Sequence, residues 1–187
     1  NDVSWSHVKD ARHVITGHDD GKIRLWDLTK NDGSSVTCVH ELDVISGMEE
    51  SQDKRVTRVL FLSQYESVDS KETITPPFVV GTNSNQTITL WSGFPSNGDA
   101  PQRLRVFRLG DTDPTSFVSV EMCPSPYRPP VPSSNPVIPS SFLLLAERKK
   151  GCVHALHIDT EWKKDTSSVA VKGFDYVSTL NVVHPVY

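Results

Sequence analysis

Three observations predict an all-β protein built from repeated four-stranded units. Short β-branched or alternating runs recur along the 187 residues, separated by gaps containing Gly, Asn, Pro and charged side chains. Two segments echo one another, "HVITGHDDGKIRLWD" (13–27) and "FVVGTNSNQTITLWS" (78–92). Few stretches hold a helical period for long, and "DVISGMEESQDK" (43–54) is polar enough to be a loop.

In chain order, the expected strands are "HVITG" (13–17), "KIRLWDL" (22–28), "VTCVHELDV" (36–44), "RVTRVLFL" (55–62) and "PFVVGT" (77–82). "QTITLWSG" (86–93), "RLRVFRL" (103–109), "SFVSVEM" (116–122), "SFLLLAE" (141–147), "CVHALHI" (152–158) and "DYVSTLNV" (175–182) follow. Asn1 already falls within what reads as a strand. In each echoed segment an apolar strand ends at a glycine, a polar turn follows, and a second strand ends at Trp26 or Trp91. A weaker third copy, "FLLLAERKKGCVHALHI" (142–158), places His157 where the tryptophan would be.

Four strands per repeating unit is the grammar of a β-propeller blade. The echoed hairpin resembles the WD repeat, which reads Ser-Gly-x-x-Asp-x-Thr-Ile-x-Leu-Trp-Asp. About three blades are expected, at 2–44, 55–109 and 116–182, from a larger, seven-bladed ring. Closed propellers need about four to eight blades, so the others are expected outside this chain. A three-blade piece would expose two raw faces and should not unfold cooperatively as a monomer.

The composition narrows the chemistry. With 19 basic and 23 acidic side chains and a formal charge of −4, the chain lacks the basic excess of a protein that binds nucleic acid by neutralising phosphates. Cys38, Cys123 and Cys152 are odd in number and far apart, without a Cys-x-x-Cys pair. That excludes a disulfide framework or zinc knuckle and fits a reducing compartment. No apolar run reaches membrane-span length, and no signal peptide opens the chain. Residues 123–141, "CPSPYRPPVPSSNPVIPSS", read as a solvated insertion loop. Their Pro126-x-x-Pro129 and Pro136-x-x-Pro139 spacings could serve a polyproline groove but lack a basic neighbour. Residues 160–173 are expected to be a second polar loop.

No motif assembles a catalytic, cofactor or metal site. Gly17 and Gly21-Lys22 are too close for a phosphate loop, and Ile23 replaces its hydroxyl. His18, Asp19 and Asp20 sit consecutively at a hairpin tip, where side chains diverge, and Asp20-Gly21 suits a two-residue turn. His154 and His157, three apart on a strand, point to opposite faces and cannot share an ion. Asn85-Gln86-Thr87 is a glycosylation sequon without relevance in a reducing compartment. Arg103, Arg105 and Arg108 read as charges protecting an edge strand. Arg148, Lys149 and Lys150, at the third hairpin tip, are candidates for partner or RNA contact. By resemblance to the WD pattern, Asp20 is the turn aspartate that bonds within its blade, with Asn85 and Lys150 at the matching places. Trp26 and Trp91 are the corresponding blade-packing residues. The Gly-His dipeptide that completes the WD hydrogen-bond relay is absent near Arg55 and Ser116.

Two further segments narrow the resemblance. "FLLLAERKKGCVHALHID" (142–159) and "FDYVSTLNVVHPVY" (174–187) resemble part of the WD-repeat domain of the mRNA-decapping scaffold family, known as Varicose in plants and enhancer of mRNA-decapping protein 4 in animals. There a leucine-rich strand, a basic turn and a second strand precede a His/Met-Pro-Val/Ile step, which His184-Pro185-Val186 fits. "FVVGTNSNQTITLWSG" (78–93) resembles that family's penultimate hairpin. The resemblance implies a non-enzymatic, cofactor-free scaffold that joins the decapping enzyme subunit to its activator in cytoplasmic processing bodies. It also implies self-association through a helical region outside this chain. The other reading of the same repeats is a generic WD adaptor in ubiquitin ligation or signalling.

Overall fold

The computed structural model describes residues 2–5, 12–28, 36–46, 54–62, 74–110, 118–124, 141–147, 149–163 and 168–181. All regular structure among them is β. Strands β1 (Asp2–Trp5), β2 (His13–Gly17), β3 (Lys22–Asp27) and β4 (Thr37–Asp43) form a first antiparallel sheet, in sequence order. β5 (Val56–Phe61), β6 (Phe78–Thr82), β7 (Thr87–Trp91) and β8 (Arg103–Arg108) form a second. β9 (Val118–Pro124), β10 (Ser141–Glu147), β11 (Cys152–Lys163) and β12 (Ser168–Asn181) form the third. Each is a simple meander, its strands adjacent in the sheet in sequence order.

The sheets stack face to face, with the second in the middle. Its inner strands β6 and β7 are buried at every position, which explains why "FVVGT" and "TITLW" lack a solvent-facing alternation. Ile15, Ile23 and Leu25 of the first sheet pack with Val56, Val59, Phe61, Phe78, Val80, Trp91 and Phe94. On the opposite face, Val79, Ile88 and Leu90 pack with Val120, Leu143, Leu145, Leu156, Ile158 and Val171 of the third sheet. Aromatic rings fill the first interface: Phe78 stacks on Phe94 at a centroid distance of 5.3 Å and lies parallel to Trp91 at 6.3 Å.

The first strands of adjacent sheets meet edge to edge. Val59 N donates to Asp2 Oδ2 at 2.9 Å and Phe61 N to Ser4 Oγ at 3.1 Å. Side chains of β1 thereby satisfy amides on the edge strand β5 that no ladder partner reaches. At the other side of the stack, β12 leans across to β8, where the Arg105 side chain lies over Gly173.

Two expectations change here. Residues 160–163 and 168–173 are strand: Thr160 pairs with Val171, Trp162 with Val169 and Lys163 with Ser168, extending the β11–β12 hairpin beyond its bulges, and 164–167 lie outside the described residues. The β-branched and aromatic residues of "TEW" and "SVAV" favour strands and outweigh the charges between them. The proline-rich insertion is also shorter than 123–141. Pro124 ends β9 opposite Ser141, as a proline confined to a strand end does. The two Pro-x-x-Pro spacings lie outside the described residues.

Candidate functional site

The three inner hairpins and the adjoining first strands carry nearly all the residues singled out from sequence. At the first tip, Gly21 N donates to His18 O at 3.3 Å and His18 N to Lys22 O at 3.0 Å. The turn therefore spans three residues between its closing pair, with Gly21 alone at positive φ (78°). This corrects the two-residue Asp20-Gly21 turn: Asp20 stays in an ordinary conformation, and glycine supplies the left-handed step of a bulge. Asp20 accepts from Lys22 N at 3.1 Å and pairs with Arg24 at 2.8 Å. Arg24 also reaches Glu41 at 2.9 Å, and Lys22 reaches the same carboxylate at 2.5 Å. Arg24's hydrogen bond lowers the pKa of Asp20, and that of Lys22 lowers Glu41. These are exposed pairs, so they fix the tip's charge pattern more than its stability.

Beneath that tip, Trp26 Nε1 donates to Thr16 Oγ1 at 2.8 Å, and the hydroxyl lies 2.7 Å from His18 Nε2. A relay thus exists in the first sheet, with its histidine drawn from the hairpin itself. Sequence reasoning weighs the relay only through the Gly-His dipeptide, absent near Arg55 and Ser116 before the second and third units. Trp26 is only half-buried, because its face of the first sheet is the one turned away from the second. Val3 and Trp5 share that face and are 61% and 50% exposed.

The second tip is built differently. Asn83, Ser84 and Asn85 all adopt positive φ, and Gln86 N donates to Asn83 O. With one more residue in the turn than the first hairpin, Asn85 folds inward, buried, over Gly81. Its Oδ1 accepts from Thr57 Oγ1 at 2.7 Å. A Cβ at Gly81 would sit 2.1 Å from that oxygen, so only glycine permits the fold-back. Asn85 and Asp20 are therefore not equivalent: one is a buried brace, the other an exposed charge. Burial also keeps the Asn85 amide away from any glycosylating enzyme. Trp91 is buried against the first sheet, but its Nε1 has no hydrogen-bond partner. Val80 occupies the cross-strand position that Thr16 holds beside Trp26.

At the third tip, Lys149 and Lys150 are exposed, and Lys150 Nζ lies 3.3 Å from Glu147 Oε1. Lys150 consequently does not play the part of a turn aspartate. Arg148 lies outside the described residues. Strand parity also moves the tryptophan-equivalent position: Leu156, opposite Leu143, faces the second sheet as Trp91 faces the first. His157 points the other way, onto Phe142 at 5.2 Å. His154 faces the second sheet with Glu147 and Cys152, a grouping that sequence reasoning missed. Its signal was the Cys-x-His spacing on one strand face, but Glu147 joins only once the β10–β11 register is known.

Along the first strands runs a chain of charge. Arg58 of β5 pairs with Asp2 of β1 at 3.4 Å and with Glu121 of β9 at 3.2 Å. One residue from each sheet thus contributes to a continuous polar rim, with Glu121 turned to solvent.

No protein-family model matches the chain, and no curated protein matches it. Among solved structures, it is similar to Sqt1 of Saccharomyces cerevisiae, at 12% identity and a TM-score of 0.44. The match covers 90% of this chain and 32% of Sqt1, so the chain spans about a third of that structure's length.

Proposed function

We propose that this chain is three blades of a larger WD-repeat β-propeller that acts as a non-catalytic docking platform of the mRNA-decapping machinery. The observation carrying the propeller reading is the arrangement of three successive four-stranded meanders. They stack face to face, and the side chains of β1 cap the amides of β5. The half-buried face of Trp26 on the first sheet and that of Phe142 and Leu144 on the third are where further blades would pack. The decapping assignment rests on the resemblance of 78–93, 142–159 and 174–187 to the scaffold family. In this reading the protein brings the decapping enzyme subunit and its activator together in cytoplasmic processing bodies, and the hairpin tips and the rim offer the contact surfaces.

Incubation of the intact protein with capped RNA, with and without the decapping catalytic subunit, tests the reading. Stimulated cap release only when the subunit is present is the expected result. Cap release by the protein alone would overturn it. Affinity purification of the intact protein should enrich decapping factors. Ubiquitin-ligase subunits in their place would assign it to the generic WD adaptors.

A further inference from the structure

Glu147, Cys152 and His154 converge at the closed end of the third inner hairpin. Glu147 and Cys152 are register partners, and His154 follows two residues along β11, so all three side chains share the face turned to the second sheet. Glu147 Oε2 lies 3.9 Å from Cys152 Sγ and 3.7 Å from His154 Nε2, and Sγ and Nε2 are 3.5 Å apart. Glu147 is 1% and Cys152 7% exposed, and the His154 side chain 16%.

The triangle has the dimensions of a metal site. Zinc–sulfur bonds of about 2.3 Å and zinc–nitrogen or –oxygen bonds of about 2.0–2.2 Å place tetrahedral ligand atoms roughly 3.3–3.6 Å apart. The observed separations need only a few tenths of an ångström of closure. A carboxylate this deeply buried should be fully hydrogen-bonded. Instead Glu147 Oε1 makes no hydrogen bond, although the Lys150 ammonium lies 3.3 Å away. His154 Nδ1 is 2.9 Å from Thr179 Oγ1. With the Nδ1 proton donated to that hydroxyl, Nε2 keeps its lone pair directed at Cys152 and Glu147, as an outer partner of a ligating histidine does.

We propose that Glu147, Cys152 and His154 bind a divalent transition-metal ion of the zinc class, with water as the fourth ligand. The mixed sulfur, nitrogen and oxygen donors favour such an ion over calcium or magnesium, which take oxygen ligands. Binding releases the thiol proton of Cys152 to solvent, and the thiolate adds its charge to that of the Glu147 carboxylate, which Lys150 already offsets in part. This site is independent of the scaffold reading.

The test uses Co(II) as a spectroscopic probe on the intact protein in a Cys38→Ser, Cys123→Ser background. A thiolate-to-cobalt charge-transfer band in the near ultraviolet, strong tetrahedral bands in the visible and displacement by Zn(II) are expected. Cys152→Ala should abolish the charge-transfer band. Thr179→Val, which removes an outer partner, should weaken Co(II) binding by about 10–100-fold, and Glu147→Gln, which removes a ligand's charge, by at least as much, with the circular dichroism unchanged in both. Should Cys152→Ala fail to fold, the near-isosteric Glu147→Gln decides alone. Absence of the band in the parent, its persistence in Cys152→Ala, or unchanged affinity in folded Glu147→Gln would overturn the proposal.

Discussion

Trp26 donates its indole proton to Thr16, whereas Trp91, at the matching place one sheet on, is more deeply buried and donates to nothing. The difference follows from one residue, valine in place of threonine on the neighbouring strand. It also follows from what covers each ring. Trp91→Ala should cost about 3–5 kcal/mol, the range for truncating a buried aromatic. For Trp26 the described layers give about 1–2 kcal/mol, from partial burial and one hydrogen bond. In the full-length protein the proposed neighbouring blade would cover Trp26 and raise its cost to that of Trp91. Denaturant titrations of both variants read this directly, and a small Trp26→Ala effect there would count against the ring.

Val80→Thr should supply the acceptor that Trp91 lacks. A threonine hydroxyl in a dry core is normally costly, at about 1–3 kcal/mol if unpaired. Beside Trp91 the variant should stay within roughly 0.5 kcal/mol of the parent, since the new hydrogen bond offsets the lost methyl. In a Trp91→Phe background the same change should cost more by about 1 kcal/mol. Equal costs in the two backgrounds would mean the hydroxyl does not reach the indole.

Gly81 and Asn85 form a coupled pair in the second tip. Gly81→Ala drives a methyl into Asn85 Oδ1 and should destabilise the protein by about 2 kcal/mol or more, since the brace to Thr57 is expelled from a buried site. Asn85→Gly removes the brace but relieves a positive φ of 63°. The alanine at 81 should then add much less, and thermal unfolding of the two singles and the double measures the coupling.

Much of this was legible in the sequence, for identifiable reasons. The strands around Trp26 and Trp91 are marked by alternation and by glycine-containing turns, which depend on local chemistry alone. Turn length was not legible: "HDDG" fits both a two-residue turn and a three-residue turn with a bulge, and the choice sets which face every following residue takes. His157 was set at the tryptophan position by spacing, and the register gives that position to Leu156. The buried trio at Glu147 was invisible for the same reason, because cross-strand pairing is a non-local property. The outer extension of β11 and β12 was hidden because its charged residues lower the strand signal.

His13 gives the fold a defined response to acid. Burial lowers its pKa below 6.5, and Arg12 and His40 push the same way against the opposing pull of Asp27. The folded state therefore prefers the neutral ring. Above pH 6.5 the unfolded chain is also neutral here, and the group contributes no pH dependence. As pH falls through 6.5, the unfolded state takes up the proton first, so stability declines until the folded pKa is passed. The slope for one proton is at most about 1.4 kcal/mol per pH unit. Urea midpoints at pH 7.5 and 5.5, compared between the parent and His13→Asn, isolate the contribution. The parent should lose more stability across that interval than the variant, and parallel losses would assign the acid sensitivity to other groups.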